Sequence, residues 1–331
     1  MIQKIKASII GASGYVGLEL IRLLSLHPNV EILYIFSRDE KDDISFKYPH
    51  LANIEIGENC SNIDIIAKDS DVVFLSLPHG EAEIYATELL GKVRVIDLSS
   101  DFRIKDKQLF KKYYENSHNQ TITDKFVYGF IGKNFNDIKT TECIANPGCF
   151  AICMQMTMLP FIDNIKKINI IGITGSSGGG KQATDKNHHS VRSKNISSYN
   201  IGSHRHNAEV YQSFENLSDS NFTFVPSSGP FVRGIFMTAF IELKEDFDYN
   251  IENYYVNDKF FRVKKSINLN DVVGSNFFDI SVFQKDKNNI VVQSAIDNLI
   301  KGASGNAIQC MNLIFNLDQN IGLSNVIPIY I

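Results

Sequence analysis

A strand, a glycine-rich turn and a helix open this chain. Residues 4–10 are apolar, Gly11-Ala-Ser13-Gly14-Tyr-Val16-Gly17 follows, and a helical pattern then runs to Leu26, with Pro28 as its stop. Glycines at this spacing let the backbone turn tightly and approach a pyrophosphate, which rests on the unpaired N–H groups of the helix start. Placed at the front of a βαβ unit, the pattern predicts a dinucleotide site rather than a structural turn.

The next segments extend that unit. Residues 30–36 read as a second strand and end in Ser37-Arg38. An acid here would bond a ribose 2′-hydroxyl, whereas a hydroxyl and a guanidinium suit a 2′-phosphate, so NADP(H) is expected over NAD(H). Residues 71–77 lead into Pro78-His79-Gly80 and a helix over 81–90, and residues 93–98 lead into Ser99-Ser-Asp101-Phe-Arg103. Apolar strands alternating with helices predict an α/β fold with a Rossmann-type, doubly wound parallel sheet. Ligands gather at the C-terminal ends of such strands. Pro78 and His79 are therefore expected in the cofactor wall, and Arg103 either clamps an anionic substrate or pairs with Asp101.

A net charge of −4 argues against a general nucleic-acid binder. No apolar run reaches membrane-spanning length, and no targeting peptide is visible. The five cysteines form no Cys-x-x-Cys pair, which fits reduced thiols in the cytoplasm.

Among them Cys149 stands out, in Asn146-Pro-Gly-Cys149-Phe-Ala. Proline and glycine set a turn, and the apolar run 150–159 looks like a helix, so the thiol would sit at a helix start. That setting lowers a thiol pKa and favours a nucleophile; the alternative is a packed small hydrophobe. Downstream, Gly175-Ser-Ser-Gly-Gly-Gly-Lys181 follows an apolar segment, 167–174. It lacks the Walker spacing and reads as a mobile loop, with an anion cradle as the alternative. His204-Arg-His206-Asn-Ala-Glu209 offers a base and proton donor to Cys149. A metal is not expected, because no cysteine has ligand spacing and an arginine stands between the histidines. Glu209 would orient a histidine or pair with Arg205.

Residues 234–243, 277–283 and 289–295 read as long strands, and the segment 297–312 opens a helix at Ser304 that returns to the first domain. The expected second domain is α+β with a mixed, mostly antiparallel sheet. The boundaries are 1–148 for the cofactor domain, completed by a helix over 302–331, and 149–301 for a catalytic and oligomerisation domain.

Five ordered motifs, at 11–17, 146–151, 175–181, 204–209 and 297–307, together resemble the N-acetyl-gamma-glutamyl-phosphate reductases, arginine-biosynthesis enzymes of the aspartate-semialdehyde dehydrogenase superfamily. The resemblance implies Cys149 as nucleophile and the His204/His206 pair as acid and base, with His204 preferred. It implies Gly11, Ser13, Gly14, Val16 and Gly17 around the NADP pyrophosphate, Asn306 near the nicotinamide, and a homodimer or homotetramer. Arg103, Lys181 and Glu209 are assigned to the acyl phosphate substrate, and the Cys149 N–H with the Asn146 side chain to the oxyanion. The chain departs from the family pattern at Ile152-Cys153, at Ala208 in place of proline, and at Lys181 in place of arginine. Rival readings are a sister acyl-phosphate reductase, acting on aspartate semialdehyde or a carrier-linked substrate, and a non-catalytic NADP sensor.

Overall fold

A computed structural model describes residues 4–37, 44–52, 54–114, 119–246 and 249–324. Arg38, expected at a 2′-phosphate, lies outside the described residues. Two sheets organise the rest. The first contains β1 (Ile5–Ile10), β2 (Val30–Phe36), β3 (Glu58–Asn59), β4 (Val72–Leu75), β5 (Arg94–Asp97), β6 (Val127–Tyr128) and β7 (Cys143–Ala145), in the order β3-β2-β1-β4-β5-β7-β6. Every pairing in it is parallel. All four residues of β4 are fully buried, as a central strand covered on both faces requires.

Helix α1 (Tyr15–Ser25) places Leu20, Ile21 and Leu24 against Ala7, Ile9 and Phe74 on one face of this sheet. Helix α2 (Ala82–Leu89) packs Ala82, Ala86 and Leu89 on the other face, against Ile10, Val73 and Val95. The chain is thus doubly wound, and its strand order reverses between β1 and β4. The loops that follow β1, β4, β5 and β7 gather at that reversal, where open α/β sheets bind ligands.

Helix α3 (Ile131–Thr140) precedes β7, and helix α4 (Cys149–Met158) follows it. Nine consecutive residues of α4, Phe150 to Met158, are buried, so the helix runs through the core without a solvent face. It lies on a second sheet of β8 (Ile165–Thr174), β9 (Ser197–Ser198), β10 (Phe222–Ser228), β11 (Ile235–Leu243), β12 (Phe261–Val263), β13 (Phe278–Gln284) and β14 (Asn289–Ile296). The order is β12-β13-β14-β11-β8-β10-β9. Pairs β8/β10 and β12/β13 are parallel and the other four antiparallel, the mixed sheet expected. Helix α5 (His206–Ser213) packs beside α4 on the same face.

After β14 the chain makes a wide turn over Ile300–Ser304, in which Gly302 and Ser304 donate to carbonyls five residues back, and continues as α6 (Gly305–Ile314). Asp297 caps this turn by accepting from the N–H groups of Leu299 and Ile300. Helix α6 leaves the second sheet and packs Ala307, Ile308 and Met311 among the α1 and α3 residues Leu20, Ile131 and Ile138. Arg233, just before β11, clamps Asp297 with two nitrogens at 3.1 Å and reaches Glu19 on α1. The two sheets are therefore joined by helix packing and by a partly buried ion-pair triad. Among the described residues no helix is long and apolar enough to cross a membrane.

Candidate active site

Cys149 is the first residue of α4, reached through the turn after β7. Gly148 caps the helix in extended conformation, and its N–H donates to Glu209 Oε2 at 2.9 Å. A side chain at Gly148 is excluded: an added Cβ would stand 2.4 Å from His206 Nε2 and 2.8 Å from Arg103 Nη1. His206 and Arg103 therefore close directly on the turn that carries the thiol. From the opposite side Gly302 backs the cysteine, since a Cβ there would meet Cys149 Cβ at 2.8 Å.

Behind these groups sits Glu209, wholly buried. Its Oε1 takes Arg103 Nη1 at 3.2 Å and lies 3.9 Å from His206 Nε2; its Oε2 also accepts from the Tyr128 hydroxyl at 2.7 Å. Arg103 further donates to the Leu98 carbonyl at 2.9 Å. The alternative pairing of Arg103 with Asp101 is not made. Asp101 instead accepts from His79 Nδ1 at 2.7 Å and from the N–H groups of Gly80 and Ala82, holding the turn before α2. Glu209 likewise pairs with Arg103, not with Arg205.

The rings of His204 and His206 stand 4.7 Å apart, nearly perpendicular, and both sit edge-on to Phe150. The His204 Nδ1 accepts from the His206 backbone N–H at 3.2 Å. Burial lowers the His204 pKa to about 4, with Arg205 adding to it. Burial also holds His206 well below its ordinary value, reinforced by His204, Arg205 and Arg103. Burial thus favours the uncharged form of both imidazoles.

The thiol corrects an expectation. Crowding by the surrounding protein raises the Cys149 pKa, although Arg103, the Phe150 N–H and Arg205 pull it down. The helix start alone does not overcome the loss of water, so the thiol needs a base. Asn146 lies in the turn just before Cys149. Its amide nitrogen contacts the carbonyls of Pro147 and Ala303, both at 3.3 Å, and its oxygen accepts from Asn306 at 2.8 Å. These contacts hold the Asn146 amide against the turn that carries Cys149.

The glycine loop lies at the ends of β1, β2 and β4, its Gly11 and Ala12 N–H groups donating to the Phe36 carbonyl. Gly11 adopts φ +91° and packs on the Ser76 carbonyl, where a Cβ would collide at 2.1 Å. Gly14, at the start of α1, has only the Gly11 carbonyl within 4 Å of an added Cβ, at 3.8 Å. That leaves an open cradle over the unpaired N–H groups of α1, as a pyrophosphate requires. Ser13 and Ser37 hydroxyls are 2.7 Å apart, and the Val16 carbonyl accepts from Ser304. Pro78 is exposed in the turn after β4. Asn306 donates to Gly129 O at 2.9 Å and keeps its buried Oδ1 without a partner, an acceptor that suits a carboxamide. These residues fit a nicotinamide dinucleotide. Lys181 reaches the same loop: its Nζ donates to the Ser13 carbonyl at 3.0 Å, so it lies on the glycine loop rather than among the groups around Cys149.

Two family models match the chain: the semialdehyde dehydrogenase NAD binding domain over residues 6–141, and the semialdehyde dehydrogenase dimerisation domain over residues 149–298. An N-acetyl-gamma-glutamyl-phosphate reductase of Methanocaldococcus jannaschii is 38% identical over 335 residues, covering 97% of this chain and 98% of that relative. This chain belongs to the N-acetyl-gamma-glutamyl-phosphate reductase family. The reductase of that name from Halothermothrix orenii is 37% identical, with 97% of this chain and 99% of the relative covered. Among solved structures, aspartate semialdehyde dehydrogenase II from Vibrio cholerae superposes with TM-score 0.70 over 95% of this chain and 99% of that one, at 17% identity. That likeness is one of fold.

Against this reductase family, the groups that sequence reasoning missed are Tyr128, Gly302 and Tyr199. Tyr128 follows no motif, but a tyrosine on a buried two-residue strand needs a polar partner, and here it is Glu209. The Tyr199 ring lies tilted against His204, with centroids 5.7 Å apart. Among the described residues no group of three or more His, Cys, Asp or Glu is arranged to hold a metal ion.

Proposed function

We propose that this reductase converts N-acetyl-gamma-glutamyl phosphate to N-acetylglutamate 5-semialdehyde and phosphate through a thioester on Cys149, with NADPH as reductant. The observation that carries the reading is the seating of Cys149 at the start of α4, between Gly302 and the neutral His206, with Arg103 beside it. His206 rather than His204 takes the role of base, because its Nε2 closes on Gly148 and its charge is balanced by Glu209 when it gains a proton.

His206 removes the thiol proton and Cys149 Sγ bonds to the acyl carbon. Arg103 faces the departing phosphate as the C–O bond to phosphorus breaks. The Cys149 N–H, unpaired at the helix start, holds the oxyanion. The glycine loop would hold the nicotinamide cofactor, which would supply the hydride needed to reduce the thioester carbonyl. The histidinium returns its proton to the resulting oxyanion. When the thiohemiacetal collapses, the C–S bond breaks, the aldehyde leaves and the thiol is restored. Ser37 at the end of β2, where NAD-preferring folds place an acid, supports NADP(H).

The same reading divides the chain into 1–148 and 149–301, with α6 completing the first unit. It also supports a homodimer or homotetramer. Phe283, Val291 and Phe240 pair across three strands on the sheet face opposite α4, and Phe240 and Phe283 are 47% and 44% exposed. An apolar row on an open sheet favours a second copy. Five free cysteines suit a cytosolic setting.

The test is phosphate-dependent reduction of NADP+ with N-acetylglutamate semialdehyde and, in parallel, aspartate semialdehyde. Turnover is expected with the first; turnover with the second alone would reassign the substrate.

A further inference from the structure

The glycine-rich segment before Lys181 is not a mobile loop. It begins at the end of β8 and is nailed to the second sheet. Ser176 and Ser177 donate their N–H groups to Phe231 and Val232, and the buried Ser177 hydroxyl also bonds the Val232 carbonyl at 2.7 Å and accepts from Asn298 at 3.0 Å. Gly180 then adopts φ +78°, a left-handed conformation that needs glycine, and turns the chain outward. The residue delivered by this turn is Lys181. Its side chain crosses to the first sheet, where Nζ bonds the Ser13 carbonyl at 3.0 Å and stands 5.4 Å above the Tyr48 ring.

That landing point has a chemical meaning. Ser13 belongs to the glycine loop and Ser37 ends β2, and their hydroxyls touch at 2.7 Å. The end of the second strand beside the glycine loop is where doubly wound folds read the adenosine ribose, by an acid for a 2′-hydroxyl or a cation for a 2′-phosphate. Tyr48 follows the β2 connection on the same side, and an aromatic face there can hold both a cation and an adenine.

We propose that Lys181 is a specificity residue for the cofactor: the second sheet contributes the cation that recognises the 2′-phosphate of NADP(H). This rests on the NADP(H) reading above and adds which residue reads the phosphate and from which half of the molecule. Selectivity for the phosphorylated cofactor and the approach of the two halves then become one event. The phosphate bridges Ser13 and Ser37 on one side to Lys181 on the other, and β8, the strand that leads into the Lys181 loop, also backs α4. A lysine suffices for this task, since a point charge on a flexible stem serves a terminal phosphate as an arginine fork would.

The experiment is isothermal titration of NADP+ and NAD+ into the wild type, Lys181→Met and Lys181→Arg, with circular dichroism melts to show that each variant is folded. Wild type is expected to prefer NADP+. Lys181→Met is expected to weaken NADP+ by about tenfold, the loss of one charge-assisted phosphate contact, and to leave NAD+ within about twofold. Lys181→Arg is expected to restore most of the NADP+ affinity. An NADP+ preference that survives in Lys181→Met overturns the proposal. So does an equal loss for both nucleotides, because that would place the lysine on the shared pyrophosphate. Absence of any NADP+ preference in the wild type would instead overturn the cofactor reading beneath it.

Discussion

Glu209 accepts the Gly148 N–H at 2.9 Å, so a wholly buried carboxylate on α5 fixes the backbone one residue before Cys149. The same carboxylate holds Arg103 at 3.2 Å and the Tyr128 hydroxyl at 2.7 Å. One charge thereby sets the position of the nucleophile's turn and of the cation beside it. It also lies 3.9 Å from His206, near enough to favour the imidazolium that proton abstraction creates.

Replacing Glu209 by glutamine keeps the shape and removes the charge. Arg103 is then left buried without its counter-charge, a defect that costs about 3 kcal/mol. The expected result is an unfolding free energy lowered by about that amount, read as a lower urea midpoint at unchanged m, and a kcat reduced at least about tenfold, with NADP+ affinity nearly unchanged. Equilibrium unfolding together with steady-state kinetics checks it.

Gly302→Ala tests the backing of the thiol from the other side. The new methyl would meet Cys149 Cβ at 2.8 Å, inside contact distance, and must push the nucleophile off its line. Misplacement of a reacting group by about 1 Å costs on the order of 100-fold in rate. A fall in kcat of that size is expected, with alkylation of Cys149 by iodoacetamide altered in parallel and the cofactor Kd retained.

The two histidines separate kinetically. His206→Ala is expected to lower kcat by about 100-fold or more, the scale of a lost general base. His204→Ala is expected to lose about tenfold, through the position of its neighbour. Full pH–rate profiles of both variants distinguish them, since only loss of the base removes the acid limb of kcat/KM.

Stability carries a matching signature. His204 titrates at about 4 when folded and near 6.5 when unfolded, because burial opposes its charged form. Below pH 6.5 the unfolded chain binds a proton that the folded protein refuses, so this group's contribution is present above pH 6.5 and fades as the pH falls toward 4. The full difference is about 3 kcal/mol. The melting temperature of the wild type should therefore drop more steeply from pH 6.5 to 4.5 than that of His204→Gln; parallel curves would contradict the assigned burial.

Much of the fold was legible because its signals are local. The glycine loop, the apolar strands and Pro147-Gly148 before α4 each declare a turn or an element through backbone chemistry alone. The mixed second sheet followed from alternation in residues 234–243 and 277–283. What the sequence concealed is pairwise. Nothing near Arg103 or Glu209 in the chain reveals that residues 106 apart share a buried ion pair, and Tyr128 carries no motif at all. Local pattern does not separate His204 from His206; the approach of His206 Nε2 to Gly148 is what favours His206 in the proposed mechanism. The thiol pKa failed for a similar reason, since the helix start is local but the crowding around Cys149 is assembled from α4, α5 and the Gly302 turn.

The central claim is a thioester on Cys149. Protein mixed with N-acetyl-gamma-glutamyl phosphate in the absence of NADPH, quenched in acid and read by intact and peptide mass spectrometry, tests it directly. The account predicts one acyl group on the peptide containing Cys149, released as aldehyde when NADPH is added before the quench, and neither acylation nor turnover in Cys149→Ala. Turnover by Cys149→Ala, or acylation confined to another residue, would contradict it.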